Sequence, residues 1–143
     1  MSRNTEPGVH IEFPYQYISI PKFGKVFYPS IPLSLKTIET GTVEFEFLVD
    51  TGADLTTLPF HMAERLGINL KKCRRSRAGG IGGHSVKTWE TAIQIGMGSN
   101  WIPISATVTE DDETPMLLGR IDILDTRFSL YFDSQKKKIV FED

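Results

Sequence analysis

A chain of 143 residues with 40% hydrophobic and 24% charged content has enough apolar material for one ordinary domain with a packed core. A formal net charge of -2 gives no general pull toward nucleic acid or an anionic membrane, and no apolar run is long enough to span a bilayer. The single cysteine, Cys73, excludes an internal disulfide and a thiolate zinc cluster, and with the polar stretch Met1 to Pro14 it leads to the expectation of a cytoplasmic protein without a secretory leader.

Residues 1–25 carry Pro7, Gly8, Pro14, Pro21 and Gly24 among the aromatic residues Phe13, Tyr15 and Tyr17. This punctuation opposes a helix and predicts an extended arm, either packed on a domain spanning 26–143 or mobile. Residues 27–37 read as strand, with Pro29 and Pro32 suggesting an edge. From Thr42 to Val49 the pattern alternates, Val43, Phe45 and Phe47 on one side and Thr42, Glu44 and Glu46 on the other, the period of a half-buried strand. A short helix is expected over Phe60 to Leu66, stopped by Gly67. Residues 70–78 and 84–95 are expected to be two strands joined through Gly79-Gly80-Ile81-Gly82-Gly83. Further strands are predicted at Trp101 to Thr109 and Met116 to Leu118, a second short helix at Ile121 to Leu124, and a C-terminal hairpin from Phe128 to Phe141. The fold class predicted is all-β with one or two short helices.

The chemistry centres on Asp50. It follows Phe47-Leu48-Val49 and precedes Thr51-Gly52. A carboxylate at the end of an apolar strand is costly to desolvate unless hydrogen-bonded, and a hydroxyl residue and a glycine beside it suit a tight loop that supplies N–H donors. The tripeptide alone reads equally well as a structural turn, since Asp and Gly are ordinary turn residues.

Three segments in order change that balance: Asp50-Thr51-Gly52-Ala53-Asp54, the glycine run 79–83, and Leu117-Leu118-Gly119-Arg120. Together they resemble the retropepsins, the retroviral-type aspartic proteases, over roughly residues 26–132. The resemblance implies a closed β-barrel with a flap hairpin, active as a two-fold homodimer. It implies Asp50 as the catalytic acid, and Thr51 and Gly52 as the active-site loop and dimer support. Gly52, Ala53, Asp54, Gly80, Ile81 and Leu117 would contact a peptide or protein substrate, with Gly119 and Arg120 as structural support and Arg120 pairing with Asp54. No cofactor, metal, nucleic acid or membrane is implied. The implied activity is aspartic endopeptidase hydrolysis through a water activated by paired Asp50 carboxylates. The alternative is a non-catalytic peptide-binding or dimerisation module retaining the fold, and a self-processing domain of a larger precursor is a third reading.

Other features have simpler readings. His84 and Leu55 depart from the retroviral pattern, His84 as a surface residue and Leu55 as an apolar contact. His10 and His61 have no evident catalytic context, and Trp89 and Trp101 most simply serve the core. Lys71 to Arg77 is a basic run able to bind nucleic acid or an acidic peptide, and its simpler reading is a solvated strand face blunted against edge pairing by charge. Asp111-Asp112-Glu113 matches no calcium-loop spacing. The glycine run lacks the Lys-Ser/Thr of a phosphate loop. The C-terminal hairpin either contributes to a dimer interface or completes the sheet of each monomer.

Overall fold

A computed structural model describes residues 8–79 and 82–143. Twelve strands and one α-helix follow one another as β1 (His10–Pro14), β2 (Gln16–Ile20), β3 (Gly24–Tyr28), β4 (Ser30–Thr37), β5 (Gly41–Val49), β6 (Thr56–Leu58), α1 (Met62–Leu66), β7 (Arg74–Gly79), β8 (Ser85–Met97), β9 (Asn100–Thr109), β10 (Leu117–Leu118), β11 (Ser129–Asp133) and β12 (Lys138–Glu142).

The expected all-β closed barrel is present. The large sheet runs β4-β5-β10-β6-β9-β8-β7, and a further pairing of β4 with β8 closes six of these strands on themselves. Closure rests on one register pair, Ser34 opposite Gly96. A Cβ on Gly96 would lie 2.9 Å from Ser34 Cβ and 3.3 Å from the Trp101 ring, so glycine is what lets the two backbones meet. The β8–β9 hairpin turns through two residues, with Gly98 at φ +61° in the first position, as a type II′ turn requires.

Alternation explains the inward faces. Ile31, Leu33 and Leu35 of β4, Phe47 and Val49 of β5, and Ile102, Ile104, Ala106 and Val108 of β9 are all buried. On β5, Val43 and Phe45 are only half-buried, with Phe45 covered by the Arg65 guanidinium at 4.8 Å. Helix α1 ends where Gly67 takes φ +71° and its N–H turns back to the carbonyls of Ala63 and Glu64.

Residues 10–28 enter the sheet structure. Strand β1 pairs antiparallel with β12, and β12 pairs with β11, giving a three-stranded sheet whose Ile11, Phe13 and Phe141 join the barrel core. Phe141 meets both Phe13 and Phe128 edge-to-face. Strands β2 and β3 form a separate hairpin, so the anticipated boundary at residues 25 and 26 falls inside β3. Phe128, Val140 and Phe141 of the C-terminal hairpin are buried within the monomer, while Tyr131 and Phe132 are exposed.

Three local expectations are corrected. Residues Leu70–Lys72 form a 3-10 turn, capped by Asn69 Oδ1 accepting from Lys71 N at 3.1 Å, so the first strand of the hairpin starts at Arg74. The helix expected at Ile121 to Leu124 is a run of overlapping turns, because Asp122 sits at φ +71° and breaks helical geometry. Asp122 instead turns its carboxylate to accept from Ser105 N at 2.8 Å. Trp101, expected in the core, is partly exposed beneath Lys36 Nζ at 4.7 Å.

Candidate active site

Strand β10 is threaded between β5 and β6, parallel to the first and antiparallel to the second. That arrangement builds the candidate site. Leu48 N donates to Met116 O at 2.8 Å, Val49 N to Pro29 O at 2.8 Å, and Asp50 N to Leu118 O at 3.0 Å. Asp50 therefore leaves the barrel wall with its backbone held on both sides. A tight turn follows, Ala53 N donating to Asp50 O at 3.1 Å.

Gly52 N donates to Asp50 Oδ1 at 3.0 Å, which orients the carboxyl group. A Cβ on Gly52 would sit 3.3 Å from that same oxygen, so the glycine keeps the carboxylate's approach open. Asp50 is half-buried, Thr51 and Gly52 are exposed, and Ala53 is half-buried. The carboxylate thus stands at the rim of the domain.

The segment after β10 locks the turn from behind. Gly119 N donates to Thr56 Oγ1 at 3.2 Å, Arg120 N to Ala53 O at 3.0 Å, and Ile121 N to Asp54 O at 2.9 Å. A Cβ on Gly119 would fall 2.4 Å from the carbonyl carbon of Leu55 and 2.8 Å from Thr56 N, so no other residue fits. Arg120 completes the clamp. Its Nη2 pairs with Asp54 Oδ1 at 2.7 Å, its Nη1 reaches Thr51 O at 3.3 Å, and its Nε lies 3.6 Å from Asp125 Oδ1.

Asp50, Thr51, Gly52, Ala53, Asp54, Leu117, Gly119 and Arg120 are therefore gathered in one knot of backbone, with Leu117 half-buried beside the turn. Gly80 and Ile81 lie outside the described residues. Sequence reasoning missed Thr56, the fully buried hydroxyl that receives Gly119 N. It also missed Pro29 as an acceptor and Asp125 as a second carboxylate on Arg120. A buried threonine among β-formers carries no local signal of its partner, which lies 63 positions away. His61 also has a partner the sequence does not mark: its backbone N and its ring Nδ1 both engage Asp112 Oδ1, holding that carboxyl below its ordinary range.

A rim carboxylate on a braced Asp-Thr-Gly turn, backed by a Leu-Leu-Gly-Arg strand and set in a six-stranded barrel, defines the aspartic-protease class of fold. Residues 37–125 match the family described as "gag-polyprotein putative aspartyl protease", and the chain belongs to that family, whose fold is retropepsin-like. The retropepsin-like aspartic protease from Rickettsia conorii is 20% identical, superposes with a TM-score of 0.62, and covers 99% of this chain and 97% of its own. The EIAV protease complexed with the inhibitor HBY-793 is 25% identical, with a TM-score of 0.49 over 72% of this chain and 88% of its own. No curated protein matches the sequence.

Proposed function

We propose that two copies of this chain form an aspartic endopeptidase, each contributing one Asp50 to a shared catalytic pair. The observation that carries this reading is the Asp50 turn itself: a single oriented carboxylate at an open rim, braced by Gly52 N and by the Arg120 clamp. Peptide hydrolysis by carboxylates needs two of them close enough to share one proton, so that one stays protonated while the other activates water; aspartic proteases are the known instance of this chemistry. The other Asp-Thr dipeptide, Asp125-Thr126, lacks the glycine, and Asp125 is turned toward Arg120. Two-fold pairing of the exposed turn supplies the missing carboxylate.

Each residue then has a role. Asp50 is the acid and base. Thr51 bonds across the dimer, and Gly52 leaves room for substrate backbone. Ala53 and Leu117 line apolar subsites, and Asp54 meets peptide main chain while tied to Arg120. The β7–β8 hairpin acts as a flap, closing Gly80 and Ile81 over an extended peptide and excluding water. The half-buried lone Cys73 fits a reducing, cytoplasmic setting.

The test is cleavage of a peptide library by the purified protein, with light scattering alongside. Asp50→Asn is expected to abolish cleavage while leaving the dimer intact. The pH profile is expected to be bell-shaped on the acid side of neutrality, set by the carboxylate pair as a unit. Unchanged cleavage in Asp50→Asn, or a flat profile from about pH 3 to 8, would sink the mechanism. A dimer that binds peptides without cutting them would return the chain to the alternative, a non-catalytic binding module.

A further inference from the structure

Strand β7 ends the order of the large sheet and pairs with β8 alone. All six of its residues are exposed. Along its outer edge, the backbone N–H and C=O groups that point away from β8 have no strand partner among the described residues.

The same edge concentrates positive charge in a chain whose net charge is -2. Lys71 and Lys72 precede it in the 3-10 turn, Arg74, Arg75 and Arg77 lie on it, and Lys87 faces it from β8. Register puts Arg75 opposite Trp89 and Arg77 opposite Lys87, so these four share one face. Leu70 and Lys71 fold over to line, with Arg75, Lys87 and Trp89, a shallow depression of about 470 Å³. Among the described residues, only Arg74 of this set has a carboxylate within ion-pair reach, Glu90 at 3.7 Å. Arg77 Nε donates to a hydroxyl, Ser85 Oγ at 3.0 Å, and not to an acid. None of Asp50 to Asp54 lines the depression, which lies on the body of the β7–β8 hairpin.

We propose that the β7 edge docks an extended acidic peptide segment, added as a further strand with its carboxylates over Arg75 and Arg77. Two observations select this occupant. A free strand edge offers a ladder that only another polypeptide backbone can complete, which favours a peptide over a nucleic acid. The charge decides which peptide: a second copy of β7 would bring cation against cation and is rejected, while an alternating acidic strand meets a complementary face. The aliphatic stems of Arg75 and Arg77 add apolar surface beside the docked strand.

Fluorescence anisotropy tests the proposal on the full chain at neutral pH. The probe is a labelled peptide of alternating Glu and Thr, about ten residues long. Its controls are a Lys-Thr counterpart, a Glu-Thr peptide N-methylated along its backbone, and a single-stranded DNA oligonucleotide. The Glu-Thr peptide is expected to bind, to weaken roughly tenfold in Arg75→Glu/Arg77→Glu, and to weaken again with added salt. The Lys-Thr and N-methylated peptides are expected not to bind, and Asp50→Asn is expected to bind as the wild type does. Equal binding of the N-methylated peptide or the oligonucleotide would reduce the edge to a general anion patch and overturn the proposal. So would undetectable binding of the Glu-Thr peptide at low salt, or full affinity in the double variant.

Discussion

At Gly119 the chain passes so close to Leu55 and Thr56 that a single methyl group would overlap backbone, with 2.4 Å to the carbonyl carbon of Leu55. Backbone cannot rotate away as a side chain can. Gly119→Ala is therefore expected to destabilise the protein by about 3 kcal/mol, read as a shift in the urea midpoint. Thr56→Val should cost about 1–3 kcal/mol by leaving Gly119 N without its acceptor in a buried place, and Thr56→Ser should restore most of it. Arg120 differs in kind. Its partner Asp54 is 74% exposed, so the ion pair itself adds less than about 1 kcal/mol to stability. Arg120→Gln is expected to leave the midpoint nearly unchanged while lowering kcat for peptide cleavage, because the clamp on Thr51 and Asp54 positions the turn. The Leu117-Leu118-Gly119-Arg120 motif was legible as letters in order. The reason its glycine must be glycine was not, because the crowding comes from Leu55, which no local pattern links to it.

Among the elements, the strands with strong alternation were the ones legible in advance: β5, β8 and β9 lie within a few residues of their expected limits. Reading failed where turn chemistry outweighed composition. Asn69 caps a 3-10 turn in a stretch of cations, and Asp122 adopts a positive φ where a helix was expected. The prolines of the N-terminal segment hide short strands, of which β1 pairs with β12 beside a cluster of charges. His10 Nδ1 lies 2.8 Å from Glu142 Oε2 and its Nε2 lies 3.5 Å from Glu12 Oε1, while Lys138 Nζ is 3.1 Å from Glu12 Oε2. Glu142 and Glu12 raise the His10 pKa above its ordinary 6.5, so that contribution is complete below pH 6.5 and fades as pH climbs through the raised value. Lys138 and His10 lower the Glu12 pKa below its ordinary 4.5, so that contribution is complete above pH 4.5 and fades as pH falls through the lowered value. The docking of β1 is expected to be firmest between those two values. Hydrogen-exchange protection factors at Ile11 and Phe13, corrected for intrinsic rates, should peak in this window, and His10→Ala should remove the decline on its alkaline side. Protection independent of pH would show that the charges contribute nothing.

For the molecule as a whole, half of the proposed active site stands at the rim of a complete barrel core. The core is closed within one chain, from Ile31 and Phe47 through Val108 to Phe141. Folding of the monomer and assembly of the catalytic pair are therefore separable events, and the dimer is expected to dissociate on dilution without unfolding. Specific activity should fall at low protein concentration with the far-ultraviolet circular dichroism unchanged. Loss of both signals together would mean that the single barrel is not stable alone.

The Asp50 turn, the glycine run and the Leu-Leu-Gly-Arg segment, and hence the family, are legible along the chain because each is local chemistry written in consecutive residues. Tertiary structure alone decided that the two-residue strand β10 passes between β5 and β6, that Gly119 closes against Leu55, and that residues 10–28 join the sheets. The physical reason is range: a strand of two residues has no period to read, and Thr56 reaches Gly119 across 63 positions through a hydrogen bond that neither residue announces.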